Sequence, residues 1–261
     1  MVWAAGSRLA VAVSEAGGLG MIGAGSMKPD LLREQIRKTK QRTSLPFAVN
    51  IPLIRGDARE LVGVVVQEGV RIVFTSSGTP SLYTAELKAA GCIVVHVIAA
   101  VKHAHKAAGA GCAAVVAEGF EAGGHNGVDE TTTLALVPQV ADAVHIPVIA
   151  AGGIADGRGL AAALSLGADG VQVGTRFAAT VESSAHANYK EAVVAAGLDM
   201  TGDTRKRVIL GQIAKYQAFP FLVLDAAGQQ KLPGIIFIDQ HPSGGYVDFY
   251  AVRFKVRDSG E

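Results

Sequence analysis

Between residues 118 and 127 the chain reads Glu118-Gly119-Phe120-Glu121-Ala122-Gly123-Gly124-His125-Asn126-Gly127, one imidazole and two carboxylates in a glycine-rich run. Ordering so many glycines costs chain entropy that packing alone would not repay, so the run reads as a functional loop. An imidazole with an ordinary pKa of about 6.5 suits general base work near neutrality, which makes His125 the first candidate. The competing reading is a loop histidine hydrogen-bonded to backbone. Glu118 opens the loop, either as a group at the mouth of a site or as a solvated carboxylate.

Two shorter runs, Ala150-Ala151-Gly152-Gly153-Ile154 and Gln172-Val173-Gly174-Thr175, each close an apolar segment. Without a Cβ at Gly152, Gly153 and Gly174, backbone N–H groups can approach an anion, and a helix starting near Asp156-Gly157 would add its positive end. The pair suits a phosphate, although tight turns alone would use the same residues. Asn50 closes Phe47-Ala48-Val49-Asn50, and Thr75-Ser76-Ser77-Gly78 closes another apolar run. A carboxamide and hydroxyls there suit hydrogen bonds to a flat polar ring such as an isoalloxazine; either residue could instead serve a turn. The other histidines offer less. His103 and His105 fall in a surface-helix pattern, His145 precedes a strand, His241 lies in the tail, and none is spaced from another as metal ligands are. His96 sits inside an apolar run and reads as core, while His186, after Ser183-Ser184, keeps a candidate role.

These loops need elements to hold them. From about residue 7 to residue 196 an Ala-rich helical segment, a stop glycine and a short β-branched run recur, which is a βα repeat. The stop glycines include Gly17, Gly69, Gly91, Gly111 and Gly167, each where a helix C-terminus takes a left-handed residue. Strands are expected at Leu19–Ala24, Phe47–Asn50, Ile72–Thr75, Ile93–Val97, Ala113–Ala117, Val148–Ala151 and Val171–Val173. Helices are expected at Leu31–Lys40, Ala58–Gln67, Ser81–Ala90 and Leu134–Ala143. Strands apolar on both faces belong in a parallel sheet covered by helices, and right-handed crossovers curl it into a TIM-type (β/α)8 parallel barrel. Active sites of such barrels lie at the C-terminal strand ends, with phosphate held after the last two strands. Seven strands are legible, so the first of eight is expected ahead of Met1-Val2-Trp3. The chain therefore divides into a barrel over 1–200 and a divergent tail over 201–261, where Phe219–Leu224, Gly234–Ile238 and Tyr246–Val256 read as separate strands.

Size and charge narrow the partners. A chain of 261 residues that is 49% hydrophobic can bury one large core. Lys+Arg 24 against Asp+Glu 23, with no basic stripe, argues against nucleic acid. No apolar run approaches the roughly 20 residues that span a bilayer, and the start lacks a signal-type stretch. Cys92 and Cys112 lack zinc or redox spacing and read as core in a reduced setting. A soluble cytoplasmic protein, compatible with a homodimer, is the expectation.

Taken together, Ala16-Gly17-Gly18-Leu19-Gly20 with Gly23-Ala24-Gly25, Val49-Asn50-Ile51, Glu118 to Gly127, Ala150 to Ile154 with Ala155-Asp156-Gly157, and Gln172 to Phe177 carry a likeness. They resemble the nitronate monooxygenase family, formerly the 2-nitropropane dioxygenases, which also contains FMN-dependent enoyl-acyl-carrier-protein reductase II. The likeness runs from Met1 to about Thr204. Inosine-monophosphate dehydrogenase-like barrels share similar glycine loops, but they place a nucleophilic cysteine where this chain has none, and the Glu-Ala-Gly-Gly-His loop is specific. The resemblance implies FMN, with Asn50, Gly124, Gly152, Gly153, Gln172, Gly174 and Thr175 at cofactor positions and His125 at the catalytic histidine. Two departures stand out: the family's Pro-Ile-Ile-x-Gly-Gly stretch before Met1 is not in this sequence, and the segment after Thr204 does not match the helices that normally cover the flavin.

Three functions follow as expectations. In a nitronate monooxygenase, His125 would take the proton alpha to the nitro group or orient the nitronate, with oxygen as oxidant and no pyridine nucleotide. In an enoyl reductase, NADH would be the reductant, the substrate an acyl thioester, and His125 would assist protonation. Over Met1-Val2-Trp3, Gly25-Ser26-Met27 and His125-Asn126-Gly127 the chain looks closer to this second branch. The third is a non-catalytic flavin- or phosphate-binding remnant.

Overall fold

The computed structural model describes residues 3–195 and, farther along, the backbone of three strands. Seven strands come first: β1 (Gly20–Gly23), β2 (Phe47–Pro52), β3 (Ile72–Ser76), β4 (Ile93–Ile98), β5 (Ala114–Glu118), β6 (Val148–Ala151) and β7 (Gly170–Gln172). They alternate with α1 (Ser7–Glu15), α2 (Pro29–Arg42), α3 (Ala58–Gln67), α4 (Thr84–Ala89), α5 (Val101–Gly109), α6 (Thr133–Ala143) and α7 (Gly157–Ser165), and are followed by α8 (Thr175–Ala178) and α9 (Ala187–Ala195). All seven strands are parallel and pair in chain order, and the sheet curls into an open barrel.

The two-residue period of the strands decides which side chains face where. Ala48, Ile72, Phe74, Val95, Ala114, Val116, Ile149 and Ala151 pack together on the inner face of the curl. Their neighbours in sequence, Val49, Val73, Val94, Val115 and Val148, are buried with helix residues such as Leu32, Ile36, Leu61, Leu87 and Leu136. Both faces being dry, the strands read as continuous apolar runs, which is why a period-two alternation is absent from the sequence. Gly69 and Gly91, just past α3 and α4, have φ of +63° and +79°, the left-handed stop expected of them.

The expected helix over Ser81–Ala90 is divided. Pro80–Leu82 forms a tight 3-10 turn, Tyr83 leaves helical geometry with φ of −131°, and α4 begins only at Thr84, whose hydroxyl donates to the Pro80 carbonyl at 2.6 Å. The edges β1 and β7 lie at opposite ends of the pairing order, yet Met21 and Gly23 of β1 line the same cavity as Val171 and Gln172 of β7. Helix α1 joins these edges: Ala5 ahead of it and its own Leu9 and Val13 pack against Phe177 of α8, with Val173 beside them.

In the tail, β8 (Ala218–Val223), β9 (Gly234–Gln240) and β10 (Val247–Ala251) form a separate antiparallel sheet, close to the three strands read from its sequence. Among the described residues no helix is long and apolar enough to cross a membrane.

Candidate active site

Strand register brings three polar side chains to the inner face near its C-terminal end. Asn50 pairs across to Gly23 and Phe74, and Phe74 belongs to the inner cluster. Glu118 lies level with Ala151 and then Gln172, and Ala151 belongs to the same cluster. Asn50 and Gln172 line the cavity with Met21, Phe74, Ile149 and Gly174. Their oxygens, Asn50 Oδ1 and Gln172 Oε1, are buried and have no hydrogen-bond partner among the described residues. A buried amide oxygen left so costs on the order of 1–3 kcal/mol, which a bound group with N–H donors would recover.

Thr75 does not join them. One residue on from Phe74, it faces the helices, is 1% exposed, and its Oγ1 lies 2.7 Å from His96 Nδ1. The expectation that its hydroxyl serves a ring at the mouth fails on strand parity, which gives the inner position to Ser76. His96 is correspondingly a core residue with a partner, and burial lowers its pKa to about 4, so its ring is neutral at physiological pH.

Glu118 ends β5 and so belongs to the sheet, one residue beyond the expected strand. Its carboxyl makes no hydrogen bond with a described residue, and burial pushes its pKa up to about 7. The following loop is folded on itself: Asn126 Nδ2 donates to the carbonyls of Phe120 at 2.8 Å and Ala122 at 2.9 Å. His125 stands exposed at its outer turn, beside Gly124 with φ of +105°, and its ring makes no hydrogen bond with a described residue.

The two glycine loops lie at the ends of adjacent strands β6 and β7. Gly152 and Gly153 have φ of +108° and +68°, and a Cβ on Gly152 would lie 2.7 Å from Thr133 Oγ1 and 2.9 Å from the Gly119 carbonyl. Gly174 caps the short α8 and Thr175 begins it. The positive end of α7 is not open to an anion as the sequence suggests. Asp156 fills it, accepting from the Arg158 and Gly159 N–H groups at 2.9 and 3.3 Å and pairing with the Arg158 guanidinium. Burial would raise the Asp156 pKa, but Arg158 and those N–H groups outweigh it and hold it below the ordinary value. Anion capacity therefore rests on the glycine loops themselves.

His186 lies apart, its Nδ1 accepting the Asn188 N–H at 3.2 Å in the turn before α9. His241 falls outside the described residues. Glu121, Asn126 and Thr133 hold the loops in place, and of the three only Thr133 carries a local signal for such a role, in the Thr132-Thr133 pair ahead of an apolar helical run. Among the described residues no group of three or more His, Cys, Asp or Glu side chains could hold a metal ion.

The family model described as nitronate monooxygenase matches residues 1–62 and 53–212. The chain is 45% identical over 206 residues, 79% of its length, to a (3aS,4S,5R,7aS)-5-hydroxy-7a-methyl-1-oxo-octahydro-1H-indene-4-carboxyl-CoA dehydrogenase of Rhodococcus jostii, and spans 58% of that relative. It is 35% identical to a nitronate monooxygenase of Paraburkholderia phytofirmans, with 84% of this chain and 72% of that one covered. Among solved structures, FabK from Thermotoga maritima is 53% identical with a TM-score of 0.74, over 76% of this chain and 63% of that one.

Proposed function

The chain belongs to the nitronate monooxygenase family, and from that premise we propose that it is an FMN-dependent oxidoreductase that oxidises alkyl nitronates with molecular oxygen. The carrying observation is a pair of buried oxygens with no partner among the described residues, Asn50 Oδ1 and Gln172 Oε1, on the inner face of an otherwise apolar cavity. Such acceptors fit the N–H edge of an isoalloxazine, and the loops at Gly152, Gly153, Gly174 and Thr175 fit its phosphate. Bound FMN supplies the carrier of reducing equivalents between substrate and oxygen. The chain's residues bind and orient. Gly124 leaves the histidine loop free to approach the ring. His125 takes the proton alpha to the nitro group where the parent nitroalkane is presented, or orients the nitronate that has already lost it. Glu118 presents a carboxyl at the same level of the sheet, two strands from Gln172.

A second reading, an NADH-dependent enoyl-acyl-carrier-protein reductase, is supported by the stretches Gly25-Ser26-Met27 and His125-Asn126-Gly127 and by the 53% identity to FabK. Two assays on FMN-loaded protein separate the readings. Oxygen uptake with propyl-2-nitronate in the absence of NADH is the expected result; NADH oxidation with a crotonyl thioester, and no uptake, would replace it with the second. Silence in both with FMN bound removes both. Protein that is colourless and cannot be reconstituted with FMN points to a non-catalytic remnant.

A further inference from the structure

Two loops with separate tasks under that reading, the histidine loop after β5 and the glycine loop after β6, meet at one side chain. Thr133 is the first residue of α6 and is buried. Its Oγ1 lies 2.9 Å from the Gly152 carbonyl, 3.2 Å from the Ala151 carbonyl and 3.0 Å from Glu121 Oε2. Its N–H donates to the same Glu121 carboxylate, at 2.8 Å to Oε2 and 3.1 Å to Oε1. Alongside, the Gly119 N–H donates to the Ala151 carbonyl at 2.9 Å.

We propose that Thr133, held by Glu121, is a positioning residue that ties the loop bearing His125 to the glycine loop that receives the FMN phosphate. Phosphate binding then steadies the histidine as well; this rests on the flavin reading above. The junction is too close for any side chain but hydrogen. A Cβ on Gly119 would lie 2.1 Å from Thr133 Oγ1, and one on Gly152 only 2.7 Å from it. Both glycines are therefore explained by the approach of Thr133 and not by a turn alone.

The tie also sets a donor direction. In a trans peptide the C=O of one residue and the N–H of the next point oppositely, so a Gly152 carbonyl turned to Thr133 turns the Gly153 N–H away from it. Glu121 reaches that side too, since a Cβ on Gly153 would lie 3.4 Å from Glu121 Cβ. The hydroxyl is not needed as a helix cap, because Thr132 accepts the Ala135 N–H. Thr133→Val keeps the shape and removes only the hydroxyl.

Amide hydrogen exchange with and without FMN reads the tie. In the wild type FMN should slow exchange in both 119–127 and 151–153. In Thr133→Val, exchange in 119–127 should rise roughly five- to tenfold without FMN, the scale of one lost hydrogen bond. FMN should then protect 151–153 alone, and Thr133→Ser should restore protection of both. Thr133→Val with wild-type protection of 119–127 overturns the proposal. A wild type that binds no FMN overturns the flavin reading and the coupling to it, while the FMN-free comparison still judges the tie itself. If Thr133→Val does not fold, Glu121→Gln, which weakens the hold on Thr133, must loosen 119–127 in the same way, and an unchanged loop there overturns the tie.

Discussion

An exposed imidazole keeps its solvation, whereas a carboxyl drawn to the inner face of a sheet loses part of it. His125 and Glu118 stand on the two sides of that difference. Burial holds the Glu118 pKa near 7, above its ordinary 4.5, so the carboxyl is half protonated in the range where the reaction would run. The linkage sign follows: a folded pKa above the unfolded one contributes stability present below about 4.5 and lost as pH rises through about 7. We expect Glu118→Gln to remove a limb near pH 7 from the rate profile and to flatten the fall in stability between about pH 4.5 and 7, read by thermal unfolding. We expect His125→Ala to keep that limb and the FMN content while turnover falls by roughly 10²–10⁴-fold, the scale of a lost acid or base. A His125→Ala protein that loses flavin, or one with unchanged turnover, removes His125 from the mechanism.

At the scale of elements, a strand's last inner-facing residue is what it contributes to the mouth, and parity makes that choice. It selects Asn50, Glu118 and Gln172 and rejects Thr75, which lies one step out of phase against His96. The loops obey a different constraint. Gly174 has φ of −110°, outside the left-handed region that glycine alone enters freely, so a side chain there meets no left-handed strain. Gly174→Val should therefore leave the fold in place and weaken FMN binding by at least tenfold in a fluorescence titration; unchanged affinity places the phosphate elsewhere. The positions of Gly119 and Gly152 were visible in the sequence, but not their reason, because Thr133 reaches them from another element.

Over the whole molecule, α1 and α8 connect the two edges of an open sheet through apolar contact. Phe177, 6% exposed, packs against Ala5, Leu9 and Val13. Truncating it should separate α1 from the β7 side and cost about 3–5 kcal/mol in urea unfolding. A cost below about 1 kcal/mol means that α1 is held by β1, β2 and α2 without help from α8. The βα rhythm, the seven strands, the stop glycines and the glycine loops at strand ends were all legible in the sequence, because each depends on local periodicity or on a backbone conformation that one residue type permits. The same locality explains what was not legible. That Thr75 turns to His96, that the Asn50 and Gln172 oxygens find no partner among the described residues, and that Thr133 joins two loops are decided by facing direction or by groups distant in sequence. Only folding sets those distances, since a hydrogen bond is made or lost within a few tenths of an ångström and no pattern along the chain encodes that separation.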